Sequence, residues 1–128
     1  MTTVALNRAA VFDKRSPPLP QITLYGLPTC DTCKKAKKAL ISAGHDVTFR
    51  DIRAEPLTEA ERAEFISEFG DKIINKSSTT WRGLSDWMRE SEADSQLENH
   101  PALMKRPVIR VGQTLLLGWD QAVQDALA

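Results

Sequence analysis

Cys30 and Cys33, separated by two residues, are the pair in this chain best suited to chemistry. Ile22-Thr23-Leu24-Tyr25 reads as a short buried strand, Gly26 and Pro28 mark a turn, and apolar spacing predicts a helix from Asp31 to about Ala43. That order sets Cys30 at the start of a helix, where unpaired backbone amides and the positive end of the helix dipole favour thiolate over thiol. Asp31 opposes the effect, while Lys34, Lys35, Lys37 and Lys38 either raise the local potential or form a solvated helix face. Cys33 lies one helical turn further on, within reach of an internal disulfide. Cys30 would then attack and Cys33 resolve the resulting mixed disulfide, unless Cys33 is a small hydrophobe on the stripe of Ala36, Leu40 and Ala43. A zinc site would need more donors than His45 and His100 supply, and no metal is expected. Neither histidine forms an obvious triad with Cys30.

Lys105-Arg106-Pro107 is a second constellation. Proline at a strand entrance can take the cis form, in a bend that would bring Arg106 toward Cys30. The guanidinium fork suits an oxyanion, a carboxylate or the thiolate, whereas Lys105 offers a point charge; an ordinary surface ion pair is the alternative. In Ser77-Ser78-Thr79-Thr80-Trp81-Arg82, hydroxyls, an aromatic plate and a cation would suit a polar ligand pocket or, equally, a capped helix start with Trp81 in the core.

The elements that must position these groups fit one domain. The chain has 128 residues, 41% of them hydrophobic and 27% charged, too apolar for disorder and too often interrupted by charge for a membrane span. Seventeen basic and seventeen acidic residues give a formal net charge of zero, which argues against direct nucleic-acid binding through a bulk basic field. Two cysteines are too few for a secreted disulfide scaffold, and Arg8 and Asp13 interrupt any signal-like run, so a cytoplasmic location is expected. Residues 1–20 end in Arg15-Ser16-Pro17-Pro18-Leu19-Pro20 and read as a flexible N-terminal extension to a domain spanning 21–128.

Val47 to Ile52 alternates as a second strand, giving a parallel βαβ unit. Thr58 and Glu61 form a capping box opening a helix through Phe65 and Phe69 to Gly70. Short helical patterns fill 71–100, Val108 to Leu117 reads as a hairpin turning at Gly112-Gln113, and Asp120 caps a last helix to Leu127. The fold class is α/β, ordered β, α, β, α, helical insertion, β, β, α.

The run Leu27-Pro28-Thr29-Cys30-Asp31-Thr32-Cys33-Lys34-Lys35-Ala36, with the distant Lys105-Arg106-Pro107, resembles the arsenate reductase-like family, which includes ArsC, Spx and YffB. The resemblance implies a thioredoxin-like fold with a helical insertion between the second helix and the C-terminal hairpin. Asp31-Thr32, Thr79 to Arg82 and Leu117-Gly118-Trp119 look most like YffB, while Cys33 and Glu55-Pro56-Leu57 look like Spx. The implied activity is thiol-disulfide exchange, with no bound cofactor and glutathione as reductant. Cys30, Cys33 and Arg106 are the expected catalytic residues. Thr29, Asp31, Thr32, Lys34, Trp81, Arg82, Lys105 and Pro107 are expected to face a small thiol or oxyanion substrate. A Spx-type redox-sensing regulator binding the RNA polymerase α subunit is one alternative. Arsenate reduction coupled to glutaredoxin is another, although Asn75-Lys76 and Leu115-Leu116 stand near where that activity has two further arginines.

Overall fold

The computed structural model describes residues 21–127, so the extension expected over 1–20 lies outside the described residues. The elements follow in the order β1 (Gln21–Gly26), α1 (Asp31–Ser42), β2 (Asp46–Asp51), α2 (Glu59–Phe69), α3 (Thr79–Arg82), α4 (Asp86–Arg89), α5 (Ala93–Asn99), β3 (Val108–Val111), β4 (Thr114–Leu117) and α6 (Gln121–Leu127). Two 3-10 turns, Gly70–Ile73 and Pro101–Leu103, bracket the helical insertion. The sheet runs β2-β1-β3-β4, with β1 and β2 parallel and the other neighbours antiparallel. The order of elements along the chain, the parallel pair and the hairpin are those the sequence pattern predicts.

Because strand side chains alternate between faces, the sheet has two cores. Ile22, Leu24 and Ile109 pack with Cys33, Ala36 and Leu40 of α1 and Val123 of α6. Tyr25, Val108 and Leu115 face Phe65 of α2 and Leu84, Leu97, Leu103 and Met104 of the insertion. Cys30 packs against both clusters, at the seam between the layers.

One expected detail differs. Ala43, placed by spacing on the apolar stripe of α1, is the exposed C-cap, since the helix ends at Ser42 and Gly44, at φ +93°, turns the chain away.

The capping box at α2 is formed in full. Glu61 N–H donates to Thr58 Oγ1 at 3.1 Å, and Thr58 N–H donates to Glu61 Oε1 at 2.9 Å. Glu61 also pairs with Arg50 of β2 at 2.9 Å, which ties the start of α2 to the edge strand. Thr58→Ala should therefore cost about 1 kcal/mol. In urea unfolding this appears as a lower midpoint with an unchanged slope.

Candidate active site

A tight turn joins β1 to α1. Cys30 N–H donates to Leu27 O at 3.1 Å, leaving Pro28 and Thr29 exposed at the turn's centre, and the fixed φ of Pro28 suits that position. Cys30 is the N-cap of α1, with φ −81° and ψ 120°, one position before the first helical residue. Its carbonyl accepts from Lys34 N–H at 3.0 Å, which sets the half-buried Cys30 at the start of the first turn, where backbone amides lack helical partners.

Burial alone would raise the Cys30 pKa. The Cys33 amide, the Cys33 thiol and the Arg106 guanidinium outweigh it, and the group is held below the ordinary thiol value. The sulfur misses the strict geometry of a helix cap, so these groups act through weaker contacts and through charge. Cys33 shows the opposite behaviour. It is 0% exposed, and burial, reinforced by its hydrogen bond and charge interaction with Cys30, pushes its pKa up to about 12 despite the lowering effect of the Leu27 backbone. One sulfur is thus a thiolate in waiting and the other a thiol that donates to it.

Gly26 makes room for this arrangement. A Cβ added at this position would overlap the Cys33 sulfur, so the last residue of β1 must lack a side chain for α1 to sit this close. Sequence reading treats Gly26 as a turn signal, because a requirement set by a residue seven positions on leaves no local trace.

Arg106 comes from the loop before β3. The Arg106–Pro107 peptide is cis, Pro107 is fully buried, and Arg106 Nη1 donates to Ala102 O at 3.0 Å. Its Nε is buried without a partner among the described residues, while the guanidinium acts on Cys30. A fixed cation beside a nucleophilic sulfur can hold the thiolate or an anionic group presented to it.

The other expected site residues are distributed unevenly. Thr29, Asp31, Thr32 and Lys34 lie on the exposed turn and first helical turn around Cys30. Lys34 lines a crevice of about 100 Å³ together with Leu27, Pro28, Cys33, Lys37 and Phe49. Lys105 is exposed, with its N–H donating to Ile73 O at 2.7 Å. Trp81 packs against the insertion-side core at a helix start where Ser78 Oγ accepts its N–H at 3.1 Å. Arg82 donates to Ser77 O at 2.7 Å. The structure therefore gathers Cys30, Cys33 and Arg106, while Trp81 and Arg82 lie on α3, whose N-terminus Ser78 caps. Phe49, under Lys37 Nζ at 5.3 Å, joins the site through β2 in a way only the strand pairing reveals. Among the described residues no group of three or more His, Cys, Asp or Glu side chains is placed to hold a metal ion, and no helix is long and apolar enough to cross a membrane.

A family model described as the ArsC family matches residues 25–127. An uncharacterised protein of Haemophilus influenzae is 36% identical over 105 residues, covering 78% of this chain and 92% of that protein. The global transcriptional regulator Spx of Listeria innocua is 32% identical over 108 residues, covering 78% of this chain and 81% of Spx. The solved structure of a YffB protein superposes with a TM-score of 0.78 at 29% identity, covering 84% of this chain and all of that one. The fold is accordingly ArsC-like and thioredoxin-like, as the sequence resemblance implied.

The pKa directions set the expected alkylation pattern. Iodoacetamide at neutral pH should modify Cys30 alone, with a rate midpoint below the ordinary thiol pKa, since buried Cys33 stays protonated until about pH 12. Removing a cation disfavours the anion, so Arg106→Gln should move that midpoint upward and slow alkylation at pH 7. Peptide mapping against pH checks both.

Proposed function

The chain belongs to the ArsC family, and from that premise we propose that it is a cytoplasmic, glutathione-dependent thiol-disulfide oxidoreductase. The observation that carries this reading is the asymmetry of the sulfur pair, with a lowered, half-buried Cys30 at a helix start and a raised, fully buried Cys33 behind it. Attack and resolution need that division.

In the proposed cycle the Cys30 thiolate attacks a substrate disulfide. A Cys30–substrate bond forms, the substrate S–S bond breaks, and the departing thiolate takes a proton from solvent. Arg106 holds the anion before attack and steadies an anionic substrate half during it. Once Cys30 is in a mixed disulfide, its negative charge no longer raises the Cys33 pKa, and burial is the main effect left. Cys33 then loses its proton to solvent, attacks the Cys30 sulfur and releases the second substrate thiol. Two glutathione molecules reduce the internal disulfide and leave as glutathione disulfide, so one substrate disulfide consumes two glutathiones. Lys34 and Lys37, which line the crevice beside Cys33 on α1, favour the carboxylates of glutathione.

A second reading, a redox-sensing regulator that binds the RNA polymerase α subunit, is favoured by the Spx relative together with the cysteine pair. Arsenate reduction, coupled to glutaredoxin, has Cys30 and Arg106 in its favour. It lacks further arginines at Asn75-Lys76 and Leu115-Leu116, and a missing charge-assisted donor at an oxyanion costs about 2–4 kcal/mol.

Reduction of bis(2-hydroxyethyl) disulfide with glutathione tests the leading reading. Cys30→Ser should abolish turnover, and Cys33→Ser should accumulate a glutathione adduct on Cys30 visible by intact mass. Full activity in Cys30→Ser rejects the mechanism. Capture of the polymerase α C-terminal domain by the oxidised form, without any disulfide turnover, would select the regulator instead.

A further inference from the structure

Beside the turn Pro101–Leu103 lies a cavity of about 220 Å³, walled mainly by Ile52, Leu57, Leu97, Pro101 and Met104. We propose that it receives an apolar side chain next to the cysteine of a protein substrate, so that the enzyme favours protein mixed disulfides over small ones. This rests on the oxidoreductase reading and adds a substrate class to it.

The first argument is continuity with the reactive sulfur. Ile52, Leu97 and Met104 belong to the core cluster on which Cys30 packs. Ile52 N–H donates to Gly26 O at 3.1 Å, fixing one wall of the cavity to the strand end that leads into the Cys30 turn. The opposite wall is fixed to the site as well, because Arg106 donates to Ala102 O, between Pro101 and Met104. Cavity, guanidinium and sulfur are therefore tied to one end of the sheet, where β1 finishes and β3 begins.

The second argument is chemical. Arg62 and Glu98 complete the lining, and Arg62, itself buried, is already engaged. Its Nε donates to Asp94 at 2.7 Å, its Nη1 donates to Leu57 O at 3.1 Å, and its Nη2 lies 3.9 Å from Glu98. An anion would meet the Glu98 carboxylate and an Arg62 already neutralised by Asp94, and a cation would meet the Arg62 guanidinium, so the fitting occupant is neutral and apolar. A dry cavity of roughly 150 Å³ is enough for a benzene ring, so this space suits a leucine- or phenylalanine-sized group. Glutathione, with two carboxylates and an ammonium group, has no such side chain. The cavity is therefore assigned to the other half of a mixed disulfide.

For a glutathionylated protein, the Cys30 thiolate attacks the glutathione sulfur. The new bond joins Cys30 to glutathione, the old S–S bond breaks, and the protein thiolate leaves and takes a proton. Cys33 and two glutathiones then complete the cycle described above.

The test uses two glutathionylated peptides, identical except for Leu or Ser on either side of the cysteine. Burying such a side chain is expected to raise kcat/KM about tenfold for the Leu peptide. Leu57→Trp, which fills the cavity from its half-buried wall, should bring the ratio close to one. A ratio is unaffected by partial loss of folded enzyme. Equal turnover of both peptides by the native protein overturns the inference and leaves the oxidoreductase reading intact, as does a preference that survives Leu57→Trp. Failure to reduce either peptide or bis(2-hydroxyethyl) disulfide overturns the underlying reading itself.

Discussion

The structure turns on how one sulfur is held. Burial works against ionising Cys30, and the groups that reverse the balance come from two places: the amide and thiol of Cys33, one helical turn on, and the Arg106 guanidinium from the loop before β3. Each is short-ranged, so each must be set in position by packing. The two sheet faces do this, for Cys30 is held by both cores and a shift of either layer would move it.

The same packing makes the cysteines unlike one another. Cys33 faces the core against Gly26, where a methyl group could not be added, and burial keeps it protonated while it donates to Cys30. Identical side chains three residues apart thus differ in acidity because one faces the seam between layers and the other faces the strand. A donor thiol behind a thiolate also links the two titrations, since discharging Cys30 removes part of what holds the proton on Cys33.

The ion pairs do a different job. Arg50 grips Glu61 and the carbonyls of Glu55 and Pro56, while Arg110 joins Glu64 to the Tyr25 hydroxyl, so α2 is fastened to β2 and β3 by charged side chains. Arg62, buried beneath the insertion, fastens α2 to α5 through Asp94. These contacts hold the insertion-side wall of the cavity and leave Arg106 as the cation directed at Cys30.

The order of elements, the capping box at Thr58, the parallel βαβ unit and the grouping of Cys30, Cys33 and Arg106 were all legible in the sequence. They depend on periodicity, capping chemistry and residue type, which act over a few positions or recur as a motif. The demand on Gly26, the place of Phe49 beside Lys37 and the cavity walled by Ile52 and Met104 were decided only by tertiary structure. Each depends on residues distant in the chain meeting across a strand pair or a layer, and no local pattern records which surfaces will meet.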